Sequence, residues 1–359
     1  MENLRFVNED TPLTTWTFFF SIHPLNPRLR QRLPSSMSRR PHGQMQNSTG
    51  VVLFSLSGIS GTAAYRLTLF CLSFLCYSLI WMVNVFLILV IIFDQSLHEP
   101  MYIILCNLCI NGLYGTAGFY PKFLSDLLFD RHVVSYTGCF LQIYVIYSYA
   151  KVDFSIIALM AYDRYVAICR PLEYHSVMSL QRTAGLVMLS WLVPLSIEMT
   201  VVSLTSTLKL CGSHIDKLYC ENWSVVKLAC GSTTANDITG LIFVTFYICH
   251  VLWIAFSYVQ IIRSALKSRE GKGRFVQTCV PHFLCVINVT ASLLFDIMYS
   301  RYGSASLPQA LKNFMAIQFL LAPPVLNPVV YGLMLTKIRR RMIRVLYVVC
   351  DKLKLKSNQ

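Results

Sequence analysis

An adjacent aspartate and arginine, Asp163 and Arg164, are followed by Tyr165 at the end of a run of about twenty mostly apolar residues. Charged side chains at the end of such a run are placed where a membrane would meet water, so neither is stranded deep in lipid. Arg164 can therefore interact with Asp163 in one state and with another partner in a second state. This chemistry is a charge switch rather than catalysis.

A second motif, PVLNPVVY, lies in another apolar run and contains Asn327, Pro328 and Tyr331. Pro328 lacks a backbone donor and clashes with the preceding turn, which predicts a kink. The side chain of Asn327 is expected to bond the freed backbone groups. A kinked polar patch in an uncharged run indicates a segment that moves.

Lys151 and Glu198 are charged residues inside apolar runs. A charge at the centre of a bilayer costs roughly 2.5–3.5 kcal/mol on insertion scales, so each needs a partner or a wet cavity. The two residues lie at similar predicted depths in neighbouring spans. Two hypotheses stay open: they form an ion pair between helices, or Lys151 faces a cavity that holds an anionic ligand.

The composition indicates that these residues are positioned by membrane helices. Hydrophobic residues make up 55% of the 359 residues and charged residues only 13%, against about 25% charged in a soluble domain. The apolar residues fall in windows long enough to cross a hydrocarbon core of roughly 30 Å. We predict an all-α fold, a seven-transmembrane helix bundle with a short amphipathic C-terminal helix. The windows are near 67–93, 101–121, 139–163, 183–208, 238–263, 275–299 and 313–336.

The distribution of lysine and arginine predicts the orientation of the bundle. With an inward-facing C-terminus, sixteen basic residues fall on the cytoplasmic side and seven in the outer loops, as the positive-inside rule requires. This division gives an extracellular segment 1–66, a transmembrane domain 67–336 and a cytoplasmic tail 337–359. The tail mixes basic and apolar residues at helical spacing, which predicts a helix on the anionic inner leaflet. Cys350 is a candidate palmitoylation site there.

The N-terminal segment carries seven arginines, against the charge rule, and six of them precede Met45. Residues 1–44 are therefore interpreted as an upstream extension that many mature molecules lack. Asn47 begins an Asn-Ser-Thr sequon on the outer side and is a predicted glycosylation site.

Four of the thirteen cysteines are expected on the oxidising outer side, at positions 139, 211, 220 and 230. Four cysteines allow three pairings, and their spacing does not choose among them. These outer cysteines lack Cys-x-x-Cys spacing, so no metal site is expected.

Taken together, seven spans, MAYDRYVAIC, the outer Cys139 and NPVVY resemble the rhodopsin-like G-protein-coupled receptors. The chain is most similar to the odorant receptors, of the fish type. LHEPMY at 97–102, the pair Ser257–Tyr258, TCVPH at 278–282 and the triple-cysteine outer loop resemble features of that family. The resemblance covers roughly residues 47–345.

The resemblance implies a role for each matching residue. Arg164 would contact a G protein once the cytoplasmic face opens, Asp163 would restrain it at rest, and Tyr258 and Tyr331 would rearrange with the kink at Pro328. It also implies disulfides Cys139–Cys220 and Cys211–Cys230. A small ligand would bind in the outer half of the bundle, near Tyr147, Lys151, Phe246, Thr290, Leu293 and Ile317.

The chain departs from the family pattern at two positions that matter for function. Gly112 occupies the second-span position where most relatives have aspartate, which puts in doubt a sodium site shared with Asp153. Thr290 stands where an aromatic residue is common, so an aromatic toggle should not be assumed.

The resulting hypothesis is an odorant receptor that activates a heterotrimeric stimulatory G protein from the plasma membrane, with membrane lipids as further partners. The alternative is a rhodopsin-like receptor for a non-odorant small ligand or peptide. A transporter or channel is disfavoured because the chain shows no repeated span pattern. No enzyme activity, cofactor or nucleic-acid partner is expected, because neither a nucleophile motif nor a nucleic-acid module is present.

Overall fold

Helices account for nearly all of the structure. The computed structural model describes residues 53–58, 65–129, 132–266, 279–294 and 309–357. The predicted extension 1–44, the sequon at Asn47 and the side chain of Cys350 lie outside the described residues. The helices are α1 Arg66–Phe93, α2 Pro100–Leu128, α3 Tyr136–Cys169, α4 Tyr174–Val177, α5 Leu180–Ser206, α6 Asn222–Val226, α7 Thr234–Ala265, α8 Cys279–Leu294, α9 Gln309–Met334 and α10 Thr336–Ser357.

Seven of these helices correspond to the seven predicted spans. Six are long and apolar enough to cross a membrane, namely α1, α2, α3, α5, α7 and α9, and α8 is a shorter apolar helix. The predicted seven-helix bundle is confirmed. Several helices extend beyond their apolar windows: α2 continues past Pro121 to Leu128. Backbone hydrogen bonding continues a helix after the apolar run has ended, so hydropathy marks the span and not the helix end.

The third span, α3, lies at the centre of the bundle. In its most apolar window 83% of the residues are buried, against 11% in α7. It packs against α2, α5 and α7. The charged side chains of α3 therefore face other helices rather than lipid, which is the condition under which a membrane helix tolerates them.

A small sheet at one end of the bundle was not predicted. The strands are β1 Leu53–Leu56, β2 Val133–Ser135 and β3 His214–Ile215. The central strand β1 pairs antiparallel with β2 and parallel with β3. Along β1, Phe54 and Leu56 are buried and the alternating residues face out. The N-terminal segment is thus joined to two loops that are distant in sequence.

The last helix, α10, has the predicted amphipathic pattern over 22 residues. Ile338 is fully buried, whereas Arg339 and Arg340 are exposed. Lys337 Nζ lies 2.7 Å from Glu99 Oε1, and Arg341 Nε lies 2.9 Å from Asp94 Oδ2. These ion pairs connect α10 to the short turn between α1 and α2.

Candidate functional site

Two disulfides fix the loop between α5 and α7. Cys139, in the first turns of α3, is bonded to Cys220, and Cys211 is bonded to Cys230, with Cα–Cα distances of 5.4 and 5.3 Å. The backbone N–H of Cys220 also donates to Gln142 Oε1 at 2.9 Å. Because α6 begins two residues after Cys220, these bonds hold it close to the same end of α3.

Lys151 of α3 and Glu198 of α5 form an ion pair, here called the outer pair. Both side chains are buried, with 3% and 1% of their surfaces exposed. Lys151 Nζ also lies 4.0 Å from the centre of the Phe243 ring, a distance at which a cation is attracted to the ring face. Of the two hypotheses for Lys151, the structure shows the ion pair between helices.

The outer pair lines a cavity of about 730 Å³, mouth included, which we call the outer cavity. The part of this volume that water-sized molecules can occupy is about 100 Å³. The walls come from α3, α5, α6 and α7, and they include the rings of Tyr147, Trp223 and Phe243. The combination of aromatic walls with a buried ion pair suits a small molecule that has both an apolar and a polar part.

Two of the six residues predicted to contact ligand, Tyr147 and Lys151, line the outer cavity. The remaining four do not line it. Phe246 packs on the ring of His250, with centroids 4.2 Å apart. Thr290 has a buried side-chain hydroxyl. Leu293 is 1% exposed, and Ile317 is partly buried against the same core. Ligand contact at these four positions stays a prediction.

Sequence reasoning missed the residues that α5, α6 and α7 contribute to the cavity. The sequence identifies Glu198 as a charge inside a span but not as a group lining a cavity, and its patterns do not indicate Trp223 or Phe243. One signal was available for Trp223. It lies three residues after Cys220, and a disulfide from that cysteine to α3 would bring the segment to the outer end of the bundle.

The proline motif of α9 is stabilised by a residue that the sequence did not suggest. Pro328 cannot donate to the carbonyl of Pro324, four residues earlier. Asn84 of α1 supplies that bond, donating from Nδ2 to Pro324 O at 2.9 Å. The role expected for Asn327 stays a prediction; its Oδ1, an acceptor, is buried without a partner in the described part of the chain.

A second, smaller cavity of about 190 Å³ lies beside this motif and is lined by Asn84, Gly112, Asp153, Asn327 and Pro328, among others. Gly112 faces Asn84 and Pro324. The Asp153 carboxylate accepts from Asn111 Nδ2 at 3.2 Å. Its second oxygen has no partner in the described residues.

Asp163, Arg164 and Tyr174 form what we call the inner cluster. The guanidinium of Arg164 donates to Asp163 Oδ2, with Nε at 2.8 Å, and the Tyr174 hydroxyl donates to Asp163 Oδ1 at 2.9 Å. Asp163 is fully buried and both of its oxygens are used. Burial, and then the neighbouring Asp163 carboxylate, raise the pKa of Tyr174 above its usual value, so its hydroxyl keeps the proton that it donates. Tyr165 is half-buried against the bundle core.

Above the inner cluster, His282 of α8 joins three helices. Its Nε2 lies 3.0 Å from the Ile157 carbonyl oxygen of α3, and its Nδ1 contacts the Tyr258 hydroxyl of α7. A carbonyl only accepts, so Nε2 carries the proton and Nδ1 accepts from Tyr258. Tyr331 of α9 is fully buried, with its hydroxyl 3.7 Å from Met160 Sδ. A histidine inside an apolar span is the signal that would have identified this junction.

Within the ranges that the structure describes, no group of three or more His, Cys, Asp or Glu side chains is placed to hold a metal ion.

Residues 70–349 match the family model described as olfactory receptor. Olfactory receptor 52J3 of Homo sapiens is 32% identical over 309 residues, which are 84% of this chain and 96% of the relative. Olfactory receptor 6N1 of Homo sapiens is 33% identical, with 83% and 96% covered. Olfactory receptor 4M1 of Mus musculus is 30% identical, with 85% and 98% covered.

These matches extend over the seven helices, both disulfides and the inner cluster. A family of receptors rather than enzymes also agrees with a multi-pass protein of the plasma membrane, whereas the fish subtype stays a prediction. The chain belongs to the olfactory receptor family of rhodopsin-like G-protein-coupled receptors.

Proposed function

We propose that this receptor binds a small odorant in the outer cavity and activates a heterotrimeric stimulatory G protein, which raises cyclic AMP. Membership of the family supports an odorant-sensing receptor that couples to a G protein. The ligand site and the stimulatory class of G protein are our proposals.

The observation that carries the proposal is that one helix contributes to both sites. Lys151 of α3 lines the outer cavity, and Arg164 of the same helix lies in the inner cluster, about 20 Å away at 1.5 Å per residue. A ligand that prefers one position of α3 shifts the population of the two states by its difference in affinity. The two sites are then coupled, and the coupling is reciprocal.

In the proposed switch, Asp163 holds Arg164 at rest and releases it when the cytoplasmic face opens. The junction of Tyr258 and His282 connects α7 and α8 to α3, and Tyr331 lies in the motif around Pro328. Movement of these helices would change those contacts together. Arg164 is 12% exposed and lies at the surface that a G protein would contact.

We further propose that the N-terminus is extracellular and the C-terminus cytoplasmic. The excess of basic residues on one side supports this orientation, and so do the two disulfides at the opposite end, where the compartment is oxidising. On the inner side, the exposed arginines of α10 are placed to contact anionic lipids.

Lys151 also supports an anionic odorant, as its charge alone suggests. The carboxylate of Glu198 counters that argument, because it already neutralises the lysine inside the cavity. The charge of the ligand then depends on the other groups in the wall of the outer cavity.

The test is a cyclic-AMP reporter screen in cells that express the full-length receptor, with amino acids, bile acids, amines and nucleotides as stimuli. Arg164→Ala is expected to abolish the response while receptor remains at the surface. Ser196→Ala is the control, since Ser196 is exposed on α5 and bonds only within its own helix. Signalling that persists in Arg164→Ala would contradict the proposal.

A further inference from the structure

Glu198 has a carboxylate oxygen that no described residue uses. Its Oε2 contacts Lys151, whereas its Oε1 is buried and lacks a hydrogen-bond partner in the ranges that the structure covers. Glu198 is 1% exposed and lines the outer cavity. A buried acceptor without a donor is costly, and a donor supplied by a ligand in the cavity would remove that cost.

Among the described residues that line the outer cavity, Lys151 is the only cation, and it is already neutralised. Lys151 has the Glu198 carboxylate and the face of the Phe243 ring. The other carboxylate in the wall, Glu221, accepts from Lys217 Nζ at 3.2 Å and from Ser224 Oγ at 2.6 Å. A ligand carboxylate would bring a third anion to two lysine–carboxylate pairs, and its desolvation would lack a free cation to offset it.

The rest of the wall is largely apolar or already bonded. Val201, Trp223, Phe243 and Val244 present hydrocarbon or ring surface. The hydroxyl of Thr239 donates to carbonyls of its own helix, at 2.9 Å for Ala235 O. The wall therefore suits an alkyl body of a few carbons attached to a polar head.

We propose that the outer cavity binds a small amphipathic molecule whose head group donates a hydrogen bond to Glu198 Oε1, an alkyl amine or an alkyl alcohol. This inference rests on the proposed function for the location of the odorant site, and it adds the chemistry of the head group. The amine and the alcohol share the N–H or O–H donor that Glu198 Oε1 lacks.

The experiment measures direct binding to full-length receptor in lipid nanodiscs, by ligand-induced thermal stabilisation. The probes are straight-chain amines, alcohols and carboxylic acids of four to ten carbons, compared at equal chain length at pH 7. The amine or the alcohol is expected to bind about tenfold or more tightly than the acid, as one hydrogen bond to a charged group allows. Comparing the two donor series shows which head group is preferred. Tighter binding of the acids, or no binding by either donor series, would overturn the inference.

Variants link the preference to Glu198. The single change Glu198→Ala leaves Lys151 buried without its carboxylate and is expected to misfold, so the informative variant is the double change Lys151→Met/Glu198→Met. It replaces the pair by apolar groups of similar size, which buried pairs often tolerate. Amine and alcohol binding should weaken about tenfold or more in the double variant and stay unchanged in Ser196→Ala. Unchanged donor binding in the double variant would contradict the role of Glu198.

This readout needs no G protein, so the two proposals fail separately. Amines or alcohols that stabilise the receptor without raising cyclic AMP would disprove the stimulatory coupling and keep the head-group inference. If other odorants raise cyclic AMP and neither the amines nor the alcohols stabilise the receptor, the stimulatory coupling is kept and the head-group inference is disproved.

Discussion

The outer pair and the inner cluster both place a carboxylate against a cation on α3, but they differ in how completely the carboxylate is bonded. Asp163 uses both oxygens, one for Arg164 and one for Tyr174. Glu198 uses one oxygen for Lys151 and leaves the other bare beside a cavity. A carboxylate with both oxygens hydrogen-bonded favours one resting arrangement. A carboxylate with one oxygen free of hydrogen bonds favours binding of a ligand that supplies a donor. This difference agrees with the proposed roles, in which the inner cluster stabilises the resting state and the outer pair contacts the ligand.

The two regions differ also in how readily the cation can leave its carboxylate for another partner. Arg164 is a sequence neighbour of Asp163 and keeps 12% of its side chain exposed, so it can leave toward water or a docked protein. Lys151 is 3% exposed and its partner lies on another helix. Losing either member of the outer pair therefore leaves the other as a buried charge without a partner or access to water.

The largest effect is expected for Glu198→Ala. It leaves Lys151 as an unpaired buried charge, which costs about 3–5 kcal/mol. Surface fluorescence of an epitope-tagged receptor should fall to near background. The matched control is Lys151→Met/Glu198→Met, which should recover most surface receptor; failure of both variants would mean that the pair does more than neutralise charge.

Asp163→Asn should act on signalling rather than on folding. The amide keeps the shape but weakens two charge-assisted hydrogen bonds, each worth about 1.5–3 kcal/mol. Basal cyclic AMP should rise about tenfold or more at equal surface expression. A basal level equal to that of the unmodified receptor would show that Asp163 does not restrain Arg164.

Tyr174→Phe removes one of the two partners of Asp163 and leaves Arg164 in place. This bond is one of the two charge-assisted bonds to Asp163, and at about 1.5 kcal/mol, the lower end of that range, its loss should raise basal cyclic AMP about tenfold. Tyr162→Phe is the control, because its half-buried ring faces Trp253 instead of the inner cluster. Equal basal activity in both variants would remove Tyr174 from the restraint.

The smallest effect is expected for Lys337→Ala. The Glu99–Lys337 pair is exposed, with 60% and 40% of the side-chain surfaces accessible, and such pairs contribute about 0–1 kcal/mol. Surface expression should change by less than twofold. A loss as large as that of Glu198→Ala would end the distinction between buried and exposed pairs in this protein.

Several features of the site lay within reach of the sequence, because they depend on residues close together in the chain. The charge pair at Asp163 and Arg164 and the proline motif of α9 are local patterns. The similar depths of Lys151 and Glu198 follow from counting helical residues. Counting gives depth along a helix but not rotation about its axis, so it does not decide which cavity Phe246 and Thr290 face, and neither residue lines the outer cavity.

By itself the sequence determined the seven helices, their order and the end of α3 that carries Asp163 and Arg164, since hydropathy and backbone hydrogen bonding are local properties. Only the tertiary structure decided which side chains meet. Asn84 reaches the carbonyl of Pro324 across 240 residues, β1 joins two distant loops, and Glu198 keeps one buried oxygen without a hydrogen-bond donor among the described residues. Such contacts depend on helix rotation and packing, which no single segment encodes.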